Sequence, residues 1–444
     1  MIRIANGQGF WGDWLEAPVR LIEQGPIDYL ALDYLAEVTM SILQKQRQAD
    51  PNLGYARDFP PLLERIASQV RAKHIKVLAN AGGVNPVACA REVLRLAPSL
   101  KVAVVLGDDV LPRIDEFLAN GYAMCDLDTG LPLSTIRNRI LAANAYVGAF
   151  PIAEALDTGA DVVITGRCTD PALTLGPMIH RFGWGPEDYD RLAAGTIAGH
   201  IIECGAQCSG GNCQVDWQNL PDLDNIGYPI VEAHADGTFA VTKHPGTGGR
   251  VHSDILKEQL LYELGDPRNY INPDCVADFT SIQLRDEGPE HVRVSGIRGR
   301  KRPADLKLSI AYANGWKAIG TLVYSWPEAY AKARAADAIV RKRLCALGLE
   351  FEEIHSEFFG VNAVLGPAAP IVEECPEVQL RIGVRGQNRK AVERFTREMI
   401  PLVLSGPPGG TGYGEGRPKV REVVSYWGAL IPREQIRTRV EVVS

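Results

Sequence analysis

The apolar run Val162-Val163-Ile164 ends abruptly in Thr165, Gly166, Arg167, Cys168, Thr169 and Asp170, and Pro171 then opens a helical pattern. A buried strand that stops in a cation, a thiol and a carboxylate carries the makings of a site. Arg167 stays charged and can fork onto a carboxylate. Backbone N–H groups at the helix start favour an anion, and Asp170 either orients Arg167 or serves as a base. The competing reading is an Arg167–Asp170 ion pair that only fixes the turn. Four other apolar runs end in a similar way. They close in Asn6-Gly7-Gln8-Gly9, in Asp33 with Glu37 a helical turn later, in Asn80-Ala81-Gly82-Gly83, and in Gly107-Asp108-Asp109.

Asp33, Glu37, Asp170 and Glu203 are the acid/base candidates. His200, Glu203 and Cys204 recur at i, i+3 and i+4, on one helix face, and a His–Glu pair suits proton transfer. Asn6, Thr165, Arg167 and the turn holding Asn80, Gly82 and Gly83 are candidates for binding substrate. In HPGTGGR (244–250), Gly246, Gly248 and Gly249 can turn successive N–H groups inward as an anion nest. Lys243, His244 and Arg250 flank it; the alternative is an ordinary glycine-rich turn. GPPGGTGYGEGRP (406–418) is either a plain connecting loop or a lid in which Tyr413 and Arg417 close over a ligand. Neither stretch has the Lys-Ser/Thr of a P-loop, there is no G-x-S-x-G elbow, and NGQGFWG (6–12) lacks the third glycine of a dinucleotide fingerprint. NAD is therefore not expected.

Such residues work together only if their elements deliver them to one place. The first half alternates apolar runs at 2–6, 28–34, 75–82, 101–107 and 161–167 with amphipathic helices. One helix is predicted over 59–74, with Leu62, Ile66 and Val70 at helical spacing, and another over 85–97, with Asn85 as N-cap and Pro86 at the first position. This alternation predicts an α/β fold: a mostly parallel sheet with helices on both faces, its strands all ending at one edge. Ligands bind at that edge in open sheets. Strand runs dominate from 276, including DLKLSIAYANG and KAIGTLVYSW, with helices at 327–347 and 388–404 and a strand at 378–386. The expected organisation is an α/β domain with the cleft over 1–212, a mixed α+β extension over 213–370 and a smaller α+β module over 371–444.

The chain has 444 residues, 46% hydrophobic and 23% charged, with a net charge of -7. That balance suits a soluble globule and gives no footprint for nucleic acid or an anionic membrane. The N-terminus reads as a strand and a glycine turn rather than a signal peptide, so a cytoplasmic protein is expected. Nine cysteines, an odd number with no C-x-x-C, read as free thiols. Cys204, Cys208 and Cys213 lack zinc-ribbon spacing, and a divalent metal is not expected.

NGQGFWGD, DYLALDYLAEVTMSIL, NAGGVNP, ADVVITGRCTDPALTLGPMIHRFGW, AAGTIAGHIIECGAQCSGGN and VTKHPGTGG occur in this order over residues 1–360. Together they resemble the acyclic terpene utilisation (AtuA-like) family, and 375–444 resembles the ferredoxin-like α+β module that accompanies it. The resemblance implies a role in catabolism of citronellol- and geraniol-type compounds through branched acyl-CoA intermediates. It supplies no agreed catalytic residue. The leading expectation is an enzyme acting on a carboxylic acid or its CoA thioester by lyase or hydratase chemistry, with no required cofactor. Arg167→Ala should then cut turnover with little change in thermal melt. One alternative is a non-catalytic subunit that binds acyl-CoA or a pathway enzyme; another is a metal-dependent hydrolase using Asp108, Asp109 and His200. A homo-oligomer is expected on general grounds.

Overall fold

The computed structural model describes residues 1–370, 374–412 and 416–444. Two compact units divide the chain: unit 1 is Met1–Ala311 with Tyr426–Ser444, and unit 2 is Tyr312–Ser425. The strands are β1 (Ile2–Gln8), β2 (Tyr29–Leu32), β3 (Lys76–Ala79), β4 (Val102–Leu106), β5 (Ile140–Ala145), β6 (Val162–Thr165), β7 (Pro229–Ala233), β8 (Phe239–Lys243) and β9 (Tyr270–Ile271). They continue as β10 (Val276–Asp278), β11 (Gln283–Gly288), β12 (His291–Ser295), β13 (Arg298–Arg300), β14 (Asp305–Ser325), β15 (Glu353–Phe359), β16 (Glu377–Gly386), β17 (Arg421–Pro432) and β18 (Arg439–Val443).

Unit 1 is organised by a ten-stranded sheet in the order β11-β12-β8-β7-β1-β2-β3-β6-β4-β18. Its centre, β1-β2-β3-β6-β4, is parallel throughout. The flanks are antiparallel: β7 pairs with β1, β8 with β7, β12 with β8, β11 with β12, and β18 with β4. The sheet is therefore mixed rather than mostly parallel. The break expected at 212/213 is absent, because β7, β8, β11 and β12 continue the hydrogen-bonded ladder begun by β1. The break expected at 370/371 falls differently as well, since β18 returns to pair with β4.

The parallel strands are apolar end to end because both faces are covered. Ile4, Ala31, Leu78, Val105 and Val163 face one core, with side chains from the helices Phe150–Asp157, Ala172–Phe182 and Tyr189–Ile202. Ala5, Leu30, Leu32, Val77, Val104 and Ile164 face the other, with side chains from Glu16–Gln24, Phe59–Ala72 and Pro86–Leu96. Leu62, Ile66 and Val70 are buried as their spacing predicts. Pro86 does open its helix, but Asn85 does not cap it: its amide donates to the carbonyls of Pro51 and Leu53 instead.

In unit 2 the succession is β14, helix Ala329–Ala346, β15, β16, helices Arg389–Met399 and Leu402–Ser405, then β17. The sheet order there is β15-β16-β14-β17, and β16 is antiparallel to both β14 and β15. The two runs expected as separate strands in 305–325 form one strand of 21 residues, which absorbs Gly315 at φ +86°. Leu322, Tyr324, Leu380 and Ile382 bury one face of this sheet against Ala336, Val340, Val392 and Phe395 of the helices.

Candidate active site

The five parallel strands deliver their polar ends to one edge, and there the predicted residues meet. Asp33 leaves β2 and accepts a 2.7 Å hydrogen bond from the Asn80 amide at the end of β3. The Asn80 side-chain Oδ1 accepts from Tyr34 N at 2.7 Å, locking the two strand ends together. Arg167, just beyond β6, is 2% exposed. Its Nη1 donates to the Leu35 carbonyl at 3.0 Å and lies 3.0 Å from Asp170 Oδ1. Its backbone N–H donates to Asp108 Oδ2 beyond β4 at 2.8 Å, where the Asn144 amide also donates at 2.9 Å. Gly166 makes that approach possible, since a Cβ there would meet the Asp108 carboxylate at 2.4 Å.

Two further groups close the cluster. The Tyr146 ring lies 4.4 Å below the Arg167 guanidinium, and its hydroxyl donates to Glu37 Oε1 at 2.6 Å. Lys307 Nζ sits 5.2 Å from the same ring. On the other side, His200 Nδ1 is 3.2 Å from Glu203 Oε1, and Tyr270 and Phe279 pack on the imidazole at 5.3 and 5.5 Å. Gly199 permits this placement: a Cβ there would strike Pro171 Cα at 2.6 Å, so the glycine lets the helix carrying His200 and Glu203 abut the segment carrying Asp170. Asn6 fixes the helix end, its amide donating to the carbonyls of Ile202 and Glu203 at 2.7 Å each.

The electrostatics separate the carboxyls into two kinds. Burial, reinforced by Asp170, pushes Asp33 well above the usual carboxylate range, against the opposing pull of Arg167 and Asn80. Burial also raises Glu203 to about 7, although His200 pulls it down. Glu37 goes the other way: burial opposes its charge, but the Tyr146 hydroxyl, Arg167 and Lys307 hold it below its ordinary value. Burial likewise opposes the charge on Arg167, and Asp170, Tyr146 and Asp33 outweigh it. His200 is raised because Glu203 outweighs its burial. The Cys168 thiol, pushed up to about 12 by burial, is no nucleophile at neutral pH.

Several buried polar atoms in this cluster have no hydrogen-bond partner among the described residues. They are Arg167 Nε, Asp170 Oδ1, Glu203 Oε2, His200 Nε2, Gln8 Oε1 and Thr169 Oγ1. The Arg167–Asp170 contact is thus an ion pair without hydrogen-bond alignment. Buried groups are normally satisfied, so this concentration marks a place that a ligand or water completes. Grooves of larger volume lie elsewhere; a cleft of about 260 Å³ reaches the cluster's rim at Gly83, Asp108 and Asp109.

Asp33, Glu37, Asp170 and Arg167 therefore converge through the common strand direction, and the close approach at Gly199 brings His200 and Glu203 to them. Other predicted residues take different roles. The N–H groups of Gly82 and Gly83 are spent on the carbonyls of Thr165 and Asn80, so the Asn80–Gly83 turn is a brace rather than an anion site. Thr165 is wholly buried, its hydroxyl bonded to the Gly166 carbonyl. Asn6 positions Glu203 rather than substrate. The HPGTGG loop is no open nest: the N–H groups of Gly248, Gly249 and Arg250 are bonded to the carbonyls of Asn225, Pro221 and Ser209. Lys243 donates to the Thr247 carbonyl at 2.8 Å, and Gly246 accepts from Asn225. Gly248 is needed for packing, since a Cβ there would meet the Asp222 carbonyl. Tyr413 lies outside the described residues.

Asp109 faces Arg47 at 3.5 Å, while Asp108 is held by Arg167 and Asn144, so this pair does not join His200 in a ligand set. Among the described residues no group of three His, Cys, Asp or Glu side chains is arranged to hold a metal ion. All nine cysteines are free thiols. Tyr146, Lys307, Asn144 and Tyr270 escaped the sequence reading. Asn144 and Tyr146 belong to β5 and its end, an alanine-rich run with little β signal that pairs with distant β14. Lys307 reaches Tyr146 through that pairing, and the Tyr146 N–H donates to the Lys307 carbonyl at 2.9 Å.

The molecule is a mixed α/β protein whose parallel strands present an acid–base cluster at their carboxyl edge. The chain matches the model of the acyclic terpene utilisation family protein AtuA over residues 2–442 and belongs to that family. Membership implies involvement in acyclic terpene utilisation. No curated protein and no solved structure matches it. Among the described residues no helix is long and apolar enough to cross a membrane.

Proposed function

We propose that the chain is an enzyme that moves a proton next to the carbonyl of an acyl thioester, as a lyase or hydratase does. The carrying observation is that Arg167 Nε and Glu203 Oε2, within one buried cluster, have no hydrogen-bond partner among the described residues. Four carboxyls stand there beside Arg167, Lys307 and His200, so the cluster is no trap for a free carboxylate. A thioester is neutral at its reacting end. Its α-proton is also far more acidic than that of a carboxylate, because removing it does not create a dianion. Glu203, raised to about 7 and backed by His200, is poised to take or return that proton. Arg167, and Asp33 whose proton affinity burial raises, can donate to the oxyanion that develops; such donors contribute about 2.7–4 kcal/mol of barrier each.

The reading is tested by incubating the protein in D₂O with branched enoyl and 3-hydroxyacyl thioesters and following deuterium entry beside the carbonyl by mass spectrometry. Exchange is expected, and Glu203→Gln should slow it by about 10²–10⁴-fold. Thioester binding without exchange in the wild type would instead identify a non-catalytic binding subunit. In unit 2 the β-α-β-β-α-β succession and its strand order support a ferredoxin-like module, which would begin near residue 312 rather than 371.

A further inference from the structure

Unit 2 carries a feature that the acid–base chemistry does not use. A groove of about 640 Å³ runs along β14 from Lys317 to Leu322, with Gly412 and the segment 416–421 opposite. Thr411 is pinned to β14 by paired backbone hydrogen bonds with Val323, at 2.9 and 3.0 Å, and the chain resumes as β17 at Arg421. Gly320 lets Met399 and Pro418 close on the strand, since a Cβ there would meet them at 2.8 and 3.2 Å.

The lining is one-sided in charge. Lys317, Arg417, Lys419 and Arg421 all face the groove, and no Asp or Glu among the described residues lines it. None of the four has an ion-pair or hydrogen-bond partner among the described residues. Elsewhere in unit 2 five arginines are paired with carboxylates, Arg341 with Asp337, Arg381 with Glu357, Arg385 with Glu352, Arg394 with Glu398 and Arg397 with Glu393, while Arg334, Arg343 and Arg389 meet Tyr330, Ser405 and Trp316. Residues 312–425 hold 15 Lys and Arg against 13 Asp and Glu, whereas the whole chain holds 47 against 54. Unpaired cations gathered on one groove repel one another, and a multiply charged anion removes that repulsion. Apolar surface lies among them: Ile319 is 49% exposed and Ile400 is half-buried.

We propose that this groove binds a phosphorylated small molecule. Two or more phosphate groups are held by Lys317, Arg417, Lys419 and Arg421, and an apolar portion lies over Ile319. Arginine forks match phosphate oxygens, and lysine supplies point charge at the rim. The proposal does not draw on the chemistry of unit 1.

Isothermal titration of the full chain with pyrophosphate, ADP and adenosine tests it. Pyrophosphate and ADP should bind, more weakly as salt rises, and adenosine should not. ADP should bind more tightly than pyrophosphate, because its nucleoside covers the apolar surface; equal binding overturns that part of the proposal. Replacing all four cations by alanine should weaken ADP binding by about 100-fold while the chain still unfolds in a cooperative transition. If that variant does not fold, Lys419→Gln with Arg421→Gln should still weaken it by about 10-fold. Adenosine binding as tightly as ADP, no binding of any phosphate probe at about 1 mM, or unchanged affinity in the variants overturns the proposal. So does single-stranded oligonucleotide affinity that rises with length, which would make the groove a nucleic-acid surface.

Discussion

The acid–base cluster of unit 1 and the basic groove of unit 2 handle charge in opposite ways. In unit 1, Arg167 is 2% exposed and touches Asp170, Tyr146 and the Leu35 carbonyl, so each charge is fixed by the next. In unit 2, Lys317, Arg417, Lys419 and Arg421 line one groove without ion-pair or hydrogen-bond partners among the described residues. Burial makes the first set strongly coupled and shifts its proton affinities. Exposure leaves the second screened by solvent and available to a mobile anion. The first arrangement suits chemistry on a held substrate, and the second suits reversible binding.

Four experiments test that contrast. The largest effect is expected from Arg167→Ala, which leaves half-buried Asp170 without its cation. Breaking such a pair costs about 3–5 kcal/mol, so urea denaturation should show a large loss of stability together with loss of activity. This replaces the expectation of an unchanged melt, because the sequence could not reveal how deeply Arg167 is buried. A variant as stable as the wild type would place Arg167 outside the network.

Next is the pH dependence of stability. Burial raises Glu203 from 4.5 to about 7 in the folded state, so folding takes up a proton there. Its contribution is full below the unfolded value and is lost as pH rises through the folded one, by at most about 3 kcal/mol. His200, also raised in the folded state, acts with the same sign. Wild-type stability should therefore fall between about pH 5 and 8, and Glu203→Gln should flatten the slope. Denaturation curves across that range decide it, and parallel profiles would contradict the assignment.

A smaller effect is expected from Tyr146→Phe. The ring under Arg167 remains, but Glu37 loses its hydroxyl donor, a bond to a charged group worth about 1.5–3 kcal/mol. Glu37 should then titrate higher, seen as a rise in the acid limb of the pH–rate profile. The smallest effect is expected in unit 2, where replacing the four groove cations should alter stability by less than about 0.5 kcal/mol each. A large destabilisation there would mean that those charges, like the ones in unit 1, hold the fold.

Much of the site was legible because of strand direction. Once five apolar runs alternate with helices, handedness and parallel pairing send Asp33, Asn80, Asp108 and Arg167 to one edge. The i, i+3 spacing of His200 and Glu203 was equally direct. The donor assignments were less legible. Gly82, Gly83, Gly248 and Gly249 all look like anion-binding turns, and only the carbonyls of Thr165, Asn80, Asn225 and Pro221 show that their N–H groups are taken. Asn144 and Tyr146 follow a run too rich in alanine to announce a strand, and Lys307 meets them through a pairing more than 150 residues long-range.

The sequence by itself determined the local elements and the polar termini of the parallel strands, because apolar periodicity and glycine or proline punctuation act over a few residues. Tertiary structure alone decided that the sheet runs on past residue 212 through β7, β8, β12 and β11, that β18 closes its far edge, and which polar groups remain unsatisfied. Those outcomes depend on which distant partner wins each hydrogen bond and each charge, and that competition is settled only when the chain is packed.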